Sequence, residues 1–296
     1  MLVYSAGIVQ RSIRINGRGH ILIAMEKSPI VLLTDFGLKD AYAGILKGVV
    51  ASISPQTSIM DLSHEVSAQD ILQGSFLLTT AFSYFPKGSV FCVVVDPGVG
   101  SDRKAICIKT EDYYFVGPDN GILWEAANRN RIKGMIHLTN AGYFLNPVSD
   151  TFHGRDIFAP VAAHISKGLN DITLLGKPLE SCVKYEFPRV GEGRDSLELC
   201  VIHIDRFGNL ILNIEQESFN RFVKGREFSL SINGERISKV FSHYAQARDR
   251  ELFLIASSSS HMEISLRNSN AALALQAVCL DKATLLKSLG PLDKSF

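Results

Sequence analysis

Residues 90–95 are apolar at every position and then break into the turn Asp96-Pro-Gly-Val-Gly-Ser-Asp-Arg103. A strand with no polar face must be covered on both sides, so this chain calls for a sheet sandwiched between helices. The surrounding pattern supplies them. Residues 30–33 repeat the short apolar run, 58–62 read as a further strand, and 41–53 and 68–83 fall between the strands as helical stretches. Strand, turn and helix in alternation predict an α/β domain with a mainly parallel central sheet. Residues 105–109 and 113–116 read as a hairpin-type pair, 122–128 as a short helix and 158–167 as another, with Leu175-Gly-Lys-Pro closing this part of the chain.

Around residues 188–194 the composition shifts to a charged, glycine-containing connector. Beyond it, 197–205, 210–214, 227–232, 252–255 and 262–266 are short and strand-like, separated by Phe-Gly-Asn, Asn-Gly and serine turns. They predict a small antiparallel sheet or barrel. The expected organisation is an α/β N-terminal domain over 29–187, a linker over 188–195 and a β domain over 196–296. The leading residues carry Arg11, Arg14 and Arg18, and Met25 stands directly before the first strong strand. Residues 1–28 are therefore expected to be a poorly ordered extension, with Met25 as an alternative start.

Composition narrows the function. Lys+Arg number 31 against 30 Asp+Glu, so no broad basic footprint points to nucleic acid or an anionic membrane, and a small-molecule site fits better. No run approaches the ~18 apolar residues of a membrane span. The five cysteines are odd in number, never spaced C-x-x-C and mostly set in apolar runs, as expected of reduced core residues in a cytoplasmic protein.

Four turn motifs follow strands or precede helices: Thr34-Asp-Phe-Gly37, the segment from Asp96 to Arg103, Pro118-Asp-Asn-Gly121 and Thr151-Phe-His-Gly-Arg-Asp156. Loops after parallel strands gather on one sheet edge, where ligands bind. There is no Walker lysine motif, no G-x-G-x-x-G and no G-x-S-x-G, so phosphate cradling and covalent acyl catalysis lack support. His64, His137, His153 and His164 show no H-x-x-x-H or H-x-H spacing, and no metal or cofactor is expected. A strand-end Asp96, a nearby Arg103 and the loop residue His153 could orient a water and take its proton. The same residue types also suit a structural ion pair with a helix-capping histidine, and the residues by themselves leave both readings open.

On these motifs, with Ile204-Asp-Arg-Phe-Gly-Asn209, the chain resembles the S-adenosyl-L-methionine (SAM) hydroxide adenosyltransferases, or SAM hydrolases, relatives of fluorinase and chlorinase, across about residues 29–280. The resemblance implies an α/β domain followed by a small antiparallel β-barrel, and a homotrimer with active sites between subunits. It implies hydrolysis of SAM to adenosine and L-methionine by water or hydroxide attacking ribose C5′. The family's hydroxide-handling triad falls on Asp96, Arg103 and His153, leaving open which of Asp96 and His153 accepts the proton. Asp35 would hold the ribose hydroxyls, Asp40 and Asp205 would face the methionine ammonium, and Phe207 and Asn209 would bound and read the adenine. Phe152 joins the substrate contacts, Ser259 matches the contact to the methionine carboxylate, and Asn268 and Asn270 would close the adenine pocket. Where the relatives have glycine and an aromatic after the serine run, this chain reads Ser257-Ser-Ser-Ser-His-Met262. The halogenating relatives lack this acid and base, so the triad favours oxygen over halide as nucleophile. Two other classes compete: a non-catalytic module that senses SAM or adenosine, and a metal-assisted nucleotide hydrolase.

Overall fold

The computed structural model describes residues 12–15, 21–24 and 27–288. The first two stretches are strands β1 (Ser12–Ile15) and β2 (Ile21–Ala24), paired antiparallel. Met25 and the remainder of residues 1–26 lie outside the described residues, as do 289–296. The chain divides into two compact units, residues 1–74 with 81–184, and residues 75–80 with 185–296.

The chain through residue 184 alternates strand and helix: β3 (Ile30–Thr34), α1 (Tyr42–Ile53), β4 (Ile59–Ser63), α2 (Ile71–Ala81), whose residues 75–80 group with the second unit, β5 (Val90–Val94), β6 (Ala105–Lys109), β7 (Tyr114–Pro118), α3 (Trp124–Arg129), β8 (Gly134–Leu138), α4 (Ala159–Ser166) and β9 (Gly176–Pro178). The seven strands lie in the order β4-β3-β5-β7-β6-β8-β9. Side chains alternate across a strand, and the sequence exploits both faces. Ile30, Leu32, Val90, Cys92 and Val94 share a core with Leu46 and Val50 of α1 and the apolar face of α4. Phe91 points the other way and stacks on Phe115 at 5.1 Å, edge-on to Phe85 and Tyr113. Strands β3 and β5 are consequently buried at every residue.

The sheet is mixed rather than mainly parallel. The pairings β3 with β4, β3 with β5 and β5 with β7 are parallel, whereas β6 with β7, β6 with β8 and β8 with β9 are antiparallel. The cause is local: β6 turns straight back into β7 through Thr110 to Tyr113, where the Thr110 and Tyr113 backbones bond across the turn, and so short a connection can only join antiparallel strands.

The second unit contains β10 (Gly191–Glu192), β11 (Ser196–Ile204), β12 (Leu210–Glu215), α5 (Gln216–Val223), β13 (Phe228–Ile232), β14 (Glu235–Ile237), β15 (Val240–Phe241), β16 (Leu252–Ala256), β17 (His261–Leu266), α6 (Ala271–Leu275) and β18 (Lys282–Lys287). Its sheet runs β14-β13-β18-β11-β12-β17-β16-β15, with β10 against β11. All pairings are antiparallel except β15 with β16. Leu197, Leu199 and Val201 of β11 alternate inward beside Leu210, Leu212 and Ile214 of β12, as a strand with one buried face requires.

Candidate active site

Strands β3, β5 and β7 run parallel, so their carboxyl ends meet at one edge of the first unit's sheet. Asp35 follows β3, Asp96 follows β5, and Asn120 follows β7. The Asn120 amide donates to the Val95 carbonyl at 2.8 Å, tying the third loop to the backbone that carries Asp96.

After Asp96 two successive turns bring Arg103 back: Val99 N–H donates to the Asp96 carbonyl at 3.2 Å and Ser101 N–H to that of Gly98 at 3.1 Å. Gly100 stands at φ +78°, and a Cβ there would collide with the Asp150 carbonyl oxygen, so only glycine lets this loop seat against the one that leads to His153. The guanidinium grips the carboxylate bidentately, Nε to Oδ1 at 2.9 Å and Nη2 to Oδ2 at 2.5 Å. Nη2 also lies 2.7 Å from Nδ1 of His153, fifty positions along the chain. Phe158 places its ring 5.3 Å from the guanidinium carbon. The side chains of Asp96 and Arg103 are only 6 % and 10 % exposed.

A guanidinium can only donate, so Nδ1 of His153 must accept and the ring proton resides on Nε2. The electrostatics agree. Burial pushes the His153 imidazole below its ordinary 6.5 and the Arg103 charge adds to this, outweighing Asp96, Asp156 and Asp150, so the ring is neutral near pH 7. His153 opens a π-helical turn, Gly154–Phe158, ahead of α4. Buried Asp156 anchors that turn, accepting both forks of Arg155 at 2.6 and 2.9 Å and the Ser149 N–H at 2.9 Å.

These elements wall a cavity of about 300 Å³ lined by Asp35, Phe36, Tyr42, Asp96, Phe152 and His153 among others. Asp35 accepts the Gln69 N–H on Oδ2 at 2.8 Å. The rings of Phe36, Tyr42 and Phe152 meet at 5.2 to 5.7 Å and make an aromatic wall. Gly154 lets that wall close, since a Cβ would press on Val94, Phe152 and Phe36 at 3.3 to 3.4 Å. The structure thus brings Asp35, Asp96, Phe152 and His153 to one cavity with Arg103 behind them. Asp40 is exposed just ahead of α1 and is not among the cavity's lining residues.

The remaining expected contacts belong to the second unit. Asp205 binds its own turn: Oδ1 accepts from the N–H groups of Phe207 and Asn209, and Oδ2 from the Asn209 amide, each at 2.9 Å. Phe207 is 76 % exposed, and Asn209 is buried. Asn270 caps α6 through the Leu273 N–H at 2.7 Å, while Asn268 donates to Asp249 at 3.0 Å. Ser259 shares a hydrogen bond with Ser257 at 2.7 Å. Buried Glu263 accepts from Tyr244 at 2.6 Å and from Ser265 at 3.0 Å, and burial pushes its carboxyl up, with Asp205 adding to the rise.

Sequence reasoning gave no role to Gln69, Tyr42, Phe158 or Glu263. Asn120 stood inside a recognised motif, but its grip on Val95 carries no sequence signature. Among the described residues no group of three or more His, Cys, Asp or Glu is placed to hold a metal ion, and no helix is long and apolar enough to cross a membrane.

Comparison with known proteins gives a consistent picture. The SAM hydroxide adenosyltransferase N-terminal domain matches residues 30–176, and the C-terminal domain of the same name matches 199–284. The chain is 36 % identical over 270 residues to an (R)-S-adenosyl-L-methionine hydrolase of Methanocaldococcus jannaschii, spanning 87 % of this chain and 95 % of that protein. A fluorinase of an Actinoplanes species is 22 % identical over 232 residues, or 69 % of this chain and 77 % of the fluorinase. A conserved protein of Thermotoga maritima, known as a crystal structure, superposes with a TM-score of 0.82 at 33 % identity, covering 87 % of this chain and all of that one.

Proposed function

Because this chain belongs to the SAM hydroxide adenosyltransferase family, we propose that its SAM hydrolase activity yields adenosine and L-methionine through water activated at Asp96, Arg103 and His153. The observation that carries this reading is the single Arg103 guanidinium shared by Asp96 and His153 at the wall of the cavity.

The chemistry asks little of an acid and much of a base. At C5′ the bond to sulfur breaks with its electron pair going to sulfur, so a sulfonium leaves as a neutral thioether and needs no proton. The bond to oxygen forms from water, which must lose one. His153 has Nδ1 occupied by Arg103 and a proton already on Nε2, whereas each Asp96 oxygen keeps a free lone pair beyond its bond to Arg103. Asp96 is therefore the proton acceptor, His153 a donor that orients the water oxygen through Nε2–H, and Arg103 the cation that stabilises the developing hydroxide. Attack by an anion on a cation disperses charge, which a site screened from bulk water favours.

Asp35, on the same cavity with Oδ2 fixed by Gln69, holds the ribose hydroxyls through Oδ1. Phe152 packs against the substrate. Asp40, Asp205 and Ser259 serve the methionine end, and Phe207, Asn209, Asn268 and Asn270 the adenine. Asp205 would do so by shaping its turn as much as by direct contact, since its oxygens already hold Phe207 and Asn209. The working assembly is a homotrimer with active sites between subunits. Incubating the purified protein with SAM and following both products by chromatography tests the reading: adenosine and methionine should appear in equal amounts, and Asp96→Asn should abolish them while SAM still binds. Tight binding by the wild type without turnover would instead make the protein a sensor.

A further inference from the structure

A buried polar chain beside the site is not used by the reaction as described. Thr34, the last residue of β3 and the neighbour of Asp35, is fully buried and sets Oγ1 2.8 Å from Nδ1 of His64. His64 is itself 3 % exposed, and its Nε2 lies 3.0 Å from Oδ1 of Asp61, off the line of an ideal hydrogen bond. Asp61 accepts from the Lys47 ammonium on its other oxygen at 2.6 Å. A carboxylate can only accept, so the His64 nitrogen that faces it, Nε2, carries a proton. Nδ1 shares a hydrogen bond with the Thr34 hydroxyl, and Thr34 Oγ1 also accepts the Phe36 N–H at 3.3 Å. The backbone of His64 takes a second hold, its carbonyl accepting the Gly37 N–H at 2.7 Å. The Asp35 loop is thus tied to His64 from both sides, through Thr34 before it and Gly37 after it.

A histidine needed only for packing would be better replaced by an apolar side chain, because each buried ring nitrogen costs solvation unless it meets a partner. Here both nitrogens face polar groups, and the hydroxyl they orient is one residue from a carboxylate on the cavity. We propose that His64 is a positioning residue for substrate binding: the chain from Asp61 through His64 to Thr34 fixes the loop of residues 35–37 and so aims the Asp35 carboxylate at the ribose diol. This rests on the assignment of Asp35 to the ribose.

The test is a double-mutant cycle on the full-length protein, read as KM and kcat for SAM. His64→Phe should raise KM about tenfold and leave kcat within about threefold, as loss of a locating hydrogen bond implies. His64→Asn, which keeps a hydrogen-bonding group at the δ position, should bring KM back to within about threefold of wild type. In an Asp35→Asn background His64→Phe should change KM by less than about twofold, because its effect passes through Asp35. If His64→Phe does not fold, Thr34→Val takes its place in the same cycle. An unchanged KM in Asp35→Asn would remove the ribose assignment and this inference together. A raised KM in Asp35→Asn, with the His64 effect multiplying fully on top of it, would overturn the inference alone.

Discussion

Replacing Arg103 by lysine keeps the positive charge and removes the fork. Arginine makes three bonds at this point, two to Asp96 and one to His153. An ammonium on a shorter, unbranched stem can retain the charge opposite Asp96, but it cannot span both carboxylate oxygens and the imidazole. Two charge-assisted bonds are lost, each worth about 1.5 to 3 kcal/mol, so about 3 to 6 kcal/mol of positioning energy disappears. Expressed in the transition state, that lowers kcat about 10²- to 10⁴-fold. Folding should suffer less than in Arg103→Met, which leaves a carboxylate side chain only 6 % exposed with no cation, a loss of about 3 to 5 kcal/mol. The assay is adenosine release at saturating SAM, with SAM affinity by calorimetry and thermal melting run on the same preparations. Arg103→Lys with wild-type melting and a kcat within threefold of wild type would refute the role given to the shared guanidinium.

Protonating His153 would turn Nδ1 into a donor facing a donor. Since burial and Arg103 hold its pKa below 6.5, activity should persist through pH 6.5 and fall with an acid limb centred lower, and His153→Gln should lack that limb. The same group contributes stability in full above pH 6.5 and progressively less as pH drops toward its folded value, because the unfolded chain then binds more protons; an acid limb centred above 6.5 in kcat/KM would contradict this. Gly100→Ala should cost about 1 to 3 kcal/mol in chemical denaturation, from its left-handed backbone and the collision with Asp150, and should lower kcat with it. Chelator should leave turnover unchanged, and a loss restored by one added divalent metal would favour the metal-assisted alternative. Burial raises the thiols of Cys92 and Cys107 to about 12, so both should resist alkylation at pH 8 until the protein unfolds, as peptide mapping would show.

What the sequence made legible follows from how local each signal is. The strands before Asp35 and Asp96 announced themselves because a doubly covered strand has no polar position, as in β5. The hairpin of β6 and β7 was equally plain, yet its effect on the sheet was not, because strand direction beyond it depends on where β8 docks. Strand β8 begins on Gly134 and carries His137, and β18 carries Lys282 and Lys287, so neither looks like an apolar run. The pairing of Asp96 with Arg103 lies within one turn and is readable from spacing. That His153 reaches the same guanidinium is a long-range fact: loops gathered on one sheet edge allowed the grouping, and family resemblance singled it out. The link from His64 to Thr34 is of the same kind: thirty residues separate two ordinary side chains that meet because β3 and β4 are neighbours.

The central claim is that water attacks C5′ of SAM, and turnover in ¹⁸O-enriched water tests it most directly. Mass spectrometry of the products should find one ¹⁸O on the 5′-oxygen of adenosine and none in methionine. Label in an amino-acid product alongside methylthioadenosine, or adenosine formed without label, would contradict the mechanism.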